Sequence, residues 1–251
     1  MSSEIQTEII VIGSGPGGYT AAFRAADLGK KVVLVEKFAS LGGVCLNVGC
    51  IPSKALLHTA QVLDETKEMG SLGIEFGPVK IDAKKLKESK DLVVKKLTGG
   101  LSMLAKQRQV TVIQGTAQFS GPNSVEIQTA EGQQTVRFEQ AIIAAGSESV
   151  TFPFIPEDPR IFSSTGALEL RDIKGHLMVL GGGIIGLEMA TVYRALGAEV
   201  TVVEFMDQLI PSADSDLVSV LQKRMQKKGI EFCLKTKATK IEAKKDGLYV
   251  T

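Results

Sequence analysis

The feature that most constrains the fold is a strand, glycine loop, helix and strand that occur twice in register. Glu8-Ile9-Ile10-Val11-Ile12 is an apolar strand running into Gly13-Ser14-Gly15-Pro16-Gly17-Gly18, and Tyr19 to Leu28 then reads as a helix ending at Gly29. Lys31 to Val35 forms the next strand, with Glu36 at its end. The order returns as Leu177-Met178-Val179-Leu180, Gly181-Gly182-Gly183-Ile184-Ile185-Gly186, a helix to Gly197, and a strand from Glu199 to Glu204. Gly13, Gly15, Gly18, Gly29 and Glu36 match Gly181, Gly183, Gly186, Gly197 and Glu204 at a constant offset of 168 residues (13 to 181). In such a loop the first glycine makes the tight turn, the second lets the backbone approach a pyrophosphate, and the third packs the helix on the strand. The helix N-terminus faces the phosphates, and the terminal acid is placed to accept hydrogen bonds from a ribose diol. Two such units predict an α/β chain with two Rossmann-like dinucleotide-binding βαβ domains and two bound dinucleotides.

A few residues beyond the first unit stands Gly42-Gly43-Val44-Cys45-Leu46-Asn47-Val48-Gly49-Cys50-Ile51-Pro52-Ser53-Lys54. Pro52 suits the first helical position, where its missing N–H costs nothing, so Cys50 sits at a helix N-terminus. Unpaired N–H groups and the positive dipole end favour a thiolate there. Lys54, one turn on, brings a cation to that thiolate or to a reduced flavin ring. Gly42, Gly43 and Gly49 let the backbone pass close to a flat cofactor. A structural bridge is disfavoured in a chain of 251 residues with three cysteines and no secretory signal. Zinc needs more soft ligands than two cysteines and two distant histidines supply, so no metal is expected. The pair therefore reads as a redox disulfide beside a flavin, with FAD in the first unit and a diffusible pyridine nucleotide in the second. Glu204 welcomes a free 2′-hydroxyl, and Phe205-Met206-Asp207 carries no arginine for a 2′-phosphate, so the nucleotide is NAD rather than NADP.

With these residues assembled, the chain resembles the flavin-linked disulfide reductases, class I of the pyridine nucleotide-disulfide oxidoreductases, and among them the dihydrolipoamide dehydrogenase family. That family carries GGxCLNxGCIPSKALL, which Gly42 to Leu57 match throughout. The resemblance assigns Cys50 to the sulfur next to the flavin, Cys45 to the sulfur that exchanges with substrate, Lys54 to the flavin edge and Glu188 to the acid that pairs with this lysine. It places Ala117, in Gly115-Thr116-Ala117, at a backbone contact with the flavin nucleotide, and Gly146, after a buried strand over residues 140–147, again near the flavin. Glutathione reductases resemble the chain less, having a lysine at Ser53 and a tyrosine at Ile184. Mercuric reductases share the Pro-Ser-Lys end and remain an alternative, as does a non-catalytic nucleotide-binding remnant. The family implies reoxidation of dihydrolipoamide carried on lipoyl domains of 2-oxoacid dehydrogenase complexes, and a homodimer.

With 44% apolar residues the chain has the material for a sizeable core. Family members continue through an interface domain that brings a His/Glu pair to the partner's disulfide. The resemblance thus leads to the expectation of a fragment with that C-terminal domain absent and little activity alone. The division expected is an FAD-binding domain over 1–147 and an incomplete NAD-binding domain over 148–251. His58 and His176 read as surface or packing residues and Cys233 as a small apolar packing residue. Asp82 caps a long helix expected to break near Gly99-Gly100, Val110 to Arg137 reads as an inserted β-meander, and the chain ends in a hairpin. A net charge of +1 argues against nucleic acid as a main partner, and no apolar run is long enough to span a membrane. The N-terminal residues, lacking a basic n-region or presequence, point to a reducing cytoplasm.

Overall fold

The computed structural model describes residues 4–251. Internal contacts divide the chain into two compact units, one up to Pro52 with 91–148 and the other 53–90 with 149–251. Residues 53–90, which the sequence reading grouped with the first nucleotide unit, thus cluster with the second.

The first unit contains β1 (Glu4–Ile12), α1 (Pro16–Asp27), β2 (Val32–Glu36), the short helix α2 (Gly43–Val48), and the opening residues of α3 (Cys50–Glu68). After α4 (Ala83–Gln107) follow β3 (Thr111–Gln114), β4 (Thr116–Gly121), β5 (Ser124–Thr129) and β6 (Gly132–Ile143). The sheet order is β3-β2-β1-β6-β5-β4, with β3, β2, β1 and β6 parallel and the last two pairings antiparallel. All five residues of β2 are buried, as expected for a parallel strand covered on both faces. Alternation splits the core: Val11, Val32 and Leu34 pack with Phe23, Leu101 and Ala105, whereas Ile10, Val33 and Val35 pack with Val125, Ile127 and Val136.

Three expectations are corrected by the structure. The helix does not break at Gly99-Gly100. A Cβ at either glycine would meet nothing within 4 Å, and their cost of about 1 kcal/mol each is offset by Leu101 and Ala105, which are buried. The meander begins at β4, because β3 joins the parallel sheet beside β2. Residues 140–143 are not a separate buried strand but the end of β6. That strand pairs with β5 only up to Arg137, so beyond it one side has no neighbouring strand among the described residues, and Ile142 and Ile143 are exposed.

The second unit contains α5 (Ser164–Ala167), β7 (His176–Leu180), α6 (Ile184–Leu196), β8 (Glu199–Val203), α7 (Ser215–Lys227), β9 (Ile230–Cys233), β10 (Ile241–Ala243) and β11 (Leu248–Val250). Its parallel sheet β7-β8-β9 repeats the order β1-β2-β3. β10 and β11 form the antiparallel hairpin read from the sequence. Tyr193 on α6 is fully buried and donates its hydroxyl to the Ala167 carbonyl at 2.8 Å, and burial pushes its phenol up to about 12. Arg160 clamps Asp158, whose carboxyl it holds at about 2, and also donates to the Lys244 carbonyl at 2.9 Å.

Candidate dinucleotide and cysteine site

The two glycine loops are built alike down to individual hydrogen bonds. Gly13 N–H donates to the Val35 carbonyl at 2.8 Å, and Gly181 N–H to that of Val203 at 2.8 Å. Ser14 N–H donates to Glu36 Oε2 at 2.9 Å and Phe38 N–H to Oε1 at 3.0 Å; Gly182 and Met206 do the same for Glu204 at 2.6 and 2.7 Å. Gly42 N–H bonds the Ser14 carbonyl at 2.9 Å, as Ile210 N–H bonds that of Gly182 at 3.0 Å. The acids read from the sequence as ribose acceptors thus also hold their own loops, both being buried. Each keeps at least one unused lone pair, since a carboxylate offers about four and Glu36 accepts three bonds and Glu204 two.

The glycines divide by task. A Cβ at Gly18 would lie 1.8 Å from the Gly13 carbonyl oxygen, and one at Gly186 2.4 Å from that of Gly181, so both are needed for helix to meet loop. Gly13 has φ of +97° and a Cβ there would come 2.2 Å from the Ala144 oxygen. At Gly15 a Cβ would meet only the Gly43 Cα, at 3.9 Å, and at Gly183 nothing within 4 Å. The fold does not require glycine at these two positions, and a backbone left bare at a helix N-terminus is the form of a phosphate cradle. A cavity of about 340 Å³ opens beside Glu36, walled by Phe38, Leu41, Lys106, Val112 and Gln114. These features fit dinucleotides in both loops.

The cysteine segment is seated on the first loop. Gly42 is the N-cap of α2 with φ of +109°, and a Cβ on Gly43 would come 2.6 Å from the Gly15 Cα. Cys45 lies on α2, half-buried against the core cluster of Val11 and Phe23. Gly49 separates α2 from α3 so tightly that its Cβ would stand 2.9 Å from the Val44 oxygen. Cys50 is exposed and is the first residue of α3. The helix therefore begins two residues before Pro52, which takes the third position, still within the turn whose N–H groups have no helical partner.

In the second unit, Lys54 Nζ on α3 meets Glu188 Oε1 on α6 at 2.5 Å, joining residues 134 positions apart. Lys54 is 63% exposed and Glu188 20%, so the pair orients the ammonium more than it stabilises the fold. Ala117 lies on β4 opposite Ile127, partly buried, and Gly146 is exposed beyond β6 with φ of +77°. His58 is exposed on α3, and the His176 Nε2 lies 2.9 Å from Thr201 Oγ1. Cys233 does not pack inside as expected: it ends β9 at the carboxyl edge of the sheet and is exposed. Among the described residues no group of acids, histidines and cysteines could hold a metal ion, and no helix is long and apolar enough to cross a membrane. The sequence reading missed the Ser14 hydroxyl, which donates to Glu36 Oε2 at 2.6 Å; its signal was a polar side chain at Ser14 where the second loop has Gly182.

The chain is 54% identical over its whole length to a dihydrolipoyl dehydrogenase of Vibrio cholerae and 53% identical to one of Haemophilus influenzae. It spans about half the length of these curated relatives, 53% in each case. Among solved structures it is similar to the HOCl-induced flavoprotein disulfide reductase RclA from Escherichia coli in its Cu(II) complex, with a TM-score of 0.84 and 29% identity. That match covers 98% of this chain and 53% of the other. Residues 7–251 match the family described as pyridine nucleotide-disulphide oxidoreductase. Paired glycine loops, a cysteine segment on the first of them and these matches agree: the chain belongs to the pyridine nucleotide-disulphide oxidoreductase family.

Proposed function

We propose that this chain is the dinucleotide-binding part of a dihydrolipoyl dehydrogenase-type flavoprotein, which reoxidises protein-bound dihydrolipoamide through Cys45, Cys50 and FAD with NAD as acceptor. The observation that carries this reading is the seating of Gly43 on Gly15, which starts the cysteine helix against the first phosphate loop. Gly13, Gly15, Gly18, Glu36, Gly42, Gly43, Lys54, Ala117 and Gly146 would hold FAD, and Gly181, Gly183, Gly186 and Glu204 would hold NAD. When bound, the flavin supplies the capacity to take an electron pair from a dithiol and release it as hydride to a nicotinamide. A substrate thiolate attacks the Cys45 sulfur of a Cys45–Cys50 disulfide; the S–S bond breaks, a mixed disulfide forms and Cys50 leaves as thiolate. The second substrate thiol then displaces Cys45, giving the cyclic disulfide and two reduced cysteines. Cys50 stands at the first position of α3, and Glu188 holds the Lys54 cation. The described residues place no histidine base on α2 beside Cys45. Turnover by the 251-residue chain alone is therefore expected to be low, since general acid–base help is worth about 10²–10⁴ in rate. A cytoplasmic location, a homodimer and lipoyl domains of 2-oxoacid dehydrogenase complexes as partners complete the proposal.

The test is FAD reconstitution followed by two-electron reduction. A long-wavelength charge-transfer band from thiolate to oxidised flavin is expected, lost in Cys50→Ser and present without reductant in Cys45→Ser. Survival of the band in Cys50→Ser with loss in Cys45→Ser reverses the two roles. Failure to bind FAD at all removes the reading.

A further inference from the structure

The two loops share four hydrogen bonds, and of the side chains that differ between them, at Ser14, Pro16 and Gly17 against Gly182, Ile184 and Ile185, that of Ser14 adds bonds to this network. Ser14 has no exposed surface; its hydroxyl donates to Glu36 Oε2 at 2.6 Å and accepts from Gly42 N–H at 3.3 Å. The second loop has Gly182 there, where a Cβ would stand 2.4 Å from Leu209 Cδ2, so a side chain cannot enter without a shift. The difference coincides with a divergence in the segments packed on each loop. Gly42 caps α2, which carries Cys45, whereas Ile210 precedes α7, which carries no cysteine. A hydroxyl bonded to a buried carboxylate is a strong, charge-assisted link, and networks of such links respond as units.

We infer that Ser14 is a positioning residue whose hydroxyl joins Glu36 to the cap of the cysteine helix, so that a ribose engaging Glu36 also fixes the segment bearing Cys45. The inference deepens the proposed function and rests on its reading of the first loop as the flavin-nucleotide site. Without the hydroxyl, Glu36 Oε2 keeps only the Ser14 N–H and Gly42 N–H keeps only the Ser14 carbonyl. The acid and the helix cap are then joined only through the Ser14 backbone, as Glu204 and Ile210 are through that of Gly182.

The experiment uses the reduced 251-residue chain without cofactor and reads two rates: amide hydrogen exchange at Gly42 and iodoacetamide labelling of Cys45 by peptide mass spectrometry. Ser14→Ala and Glu36→Gln should each raise both rates roughly three- to tenfold, and the double variant should fall clearly short of the product of the two, because the variants share the Ser14 hydroxyl bond, although Glu36→Gln also disturbs the Ser14 and Phe38 N–H bonds. The Ile210 amide, which occupies the same place in the loop without a hydroxyl, is the internal control and should not change in Ser14→Ala. Equal acceleration at Gly42 and Ile210 would show a general loss of stability and overturn the inference, as would unchanged rates or additive effects. FAD is then added. Protection of Cys45 from labelling in the unmodified chain that weakens in Ser14→Ala supports the coupling, and protection that is equal in both overturns it. Failure of FAD to bind the unmodified chain overturns the proposed function and leaves the link between Glu36 and Gly42 to be decided by the cofactor-free rates.

Discussion

Substituting the loop glycines separates those that the fold needs from those kept for a ligand. At Gly15 (φ of −66°) and Gly183 (φ of −76°) the backbone is one that alanine adopts freely, and a Cβ would find at most the Gly43 Cα at 3.9 Å. Both are N-caps, where glycine outranks alanine by about 1 kcal/mol, but alanine recovers about 0.4–1 kcal/mol by restricting the unfolded chain. Gly15→Ala and Gly183→Ala should therefore leave stability within about 0.5 kcal/mol of the unmodified chain. At Gly18 and Gly186 the new Cβ would stand 1.8 and 2.4 Å from carbonyl oxygens of the loop backbone. Backbone must shift to relieve such contacts, and overpacking of this kind costs about 1–3 kcal/mol or more. In urea, with a slope of about 1–3 kcal/mol per molar, the midpoint should drop by roughly 1 M for Gly18→Ala and Gly186→Ala and stay in place for the other two. Titration should show the reverse: Gly15→Ala loses FAD affinity and Gly183→Ala loses NAD affinity, each at least about tenfold. If Gly15→Ala unfolds as readily as Gly18→Ala, the glycine serves packing; if it binds FAD unchanged, the loop is not the phosphate contact.

Tyr193→Phe should cost about 1 kcal/mol near neutral pH by removing the buried bond to Ala167. Because burial raises this phenol in the folded state from 10.0 to about 12, the unfolded chain releases the proton first. Stability is full below pH 10 and falls as pH rises toward 12, and Tyr193→Phe should flatten that fall in unfolding midpoints measured across the window. NAD should outcompete NADP at the second loop by roughly tenfold or more, since a phosphate beside the Glu204 carboxylate is repelled; equal affinities would refute it. Glu204→Gln should not convert the preference cleanly, because the amide has one acceptor oxygen for two N–H donors, Gly182 and Met206. Faster hydrogen exchange at both amides, with weaker binding of both nucleotides, is the expected result.

Local chemistry by itself determined the strands, the loops and the cysteine segment. An apolar run, a glycine with positive φ and a helix start are written within some twenty residues, and the repeat at a fixed offset carried the pattern to the second loop down to its hydrogen bonds. The long helix was legible from its Asp82 cap, but its passage through Gly99-Gly100 was not, because the burial of Leu101 and Ala105 outweighs the local cost of glycine. Cys233 and the end of β6 were misjudged for a related reason: an apolar residue is buried only if something covers it, and that depends on which strands stand alongside. The meeting of Lys54 with Glu188 belongs to tertiary structure altogether, since no local periodicity relates residues 134 apart. So does the double duty of Glu36. The sequence placed an acid at the end of a strand, and only the fold brought Ser14 from the neighbouring loop against it, because β1 and β2 lie side by side in the parallel sheet.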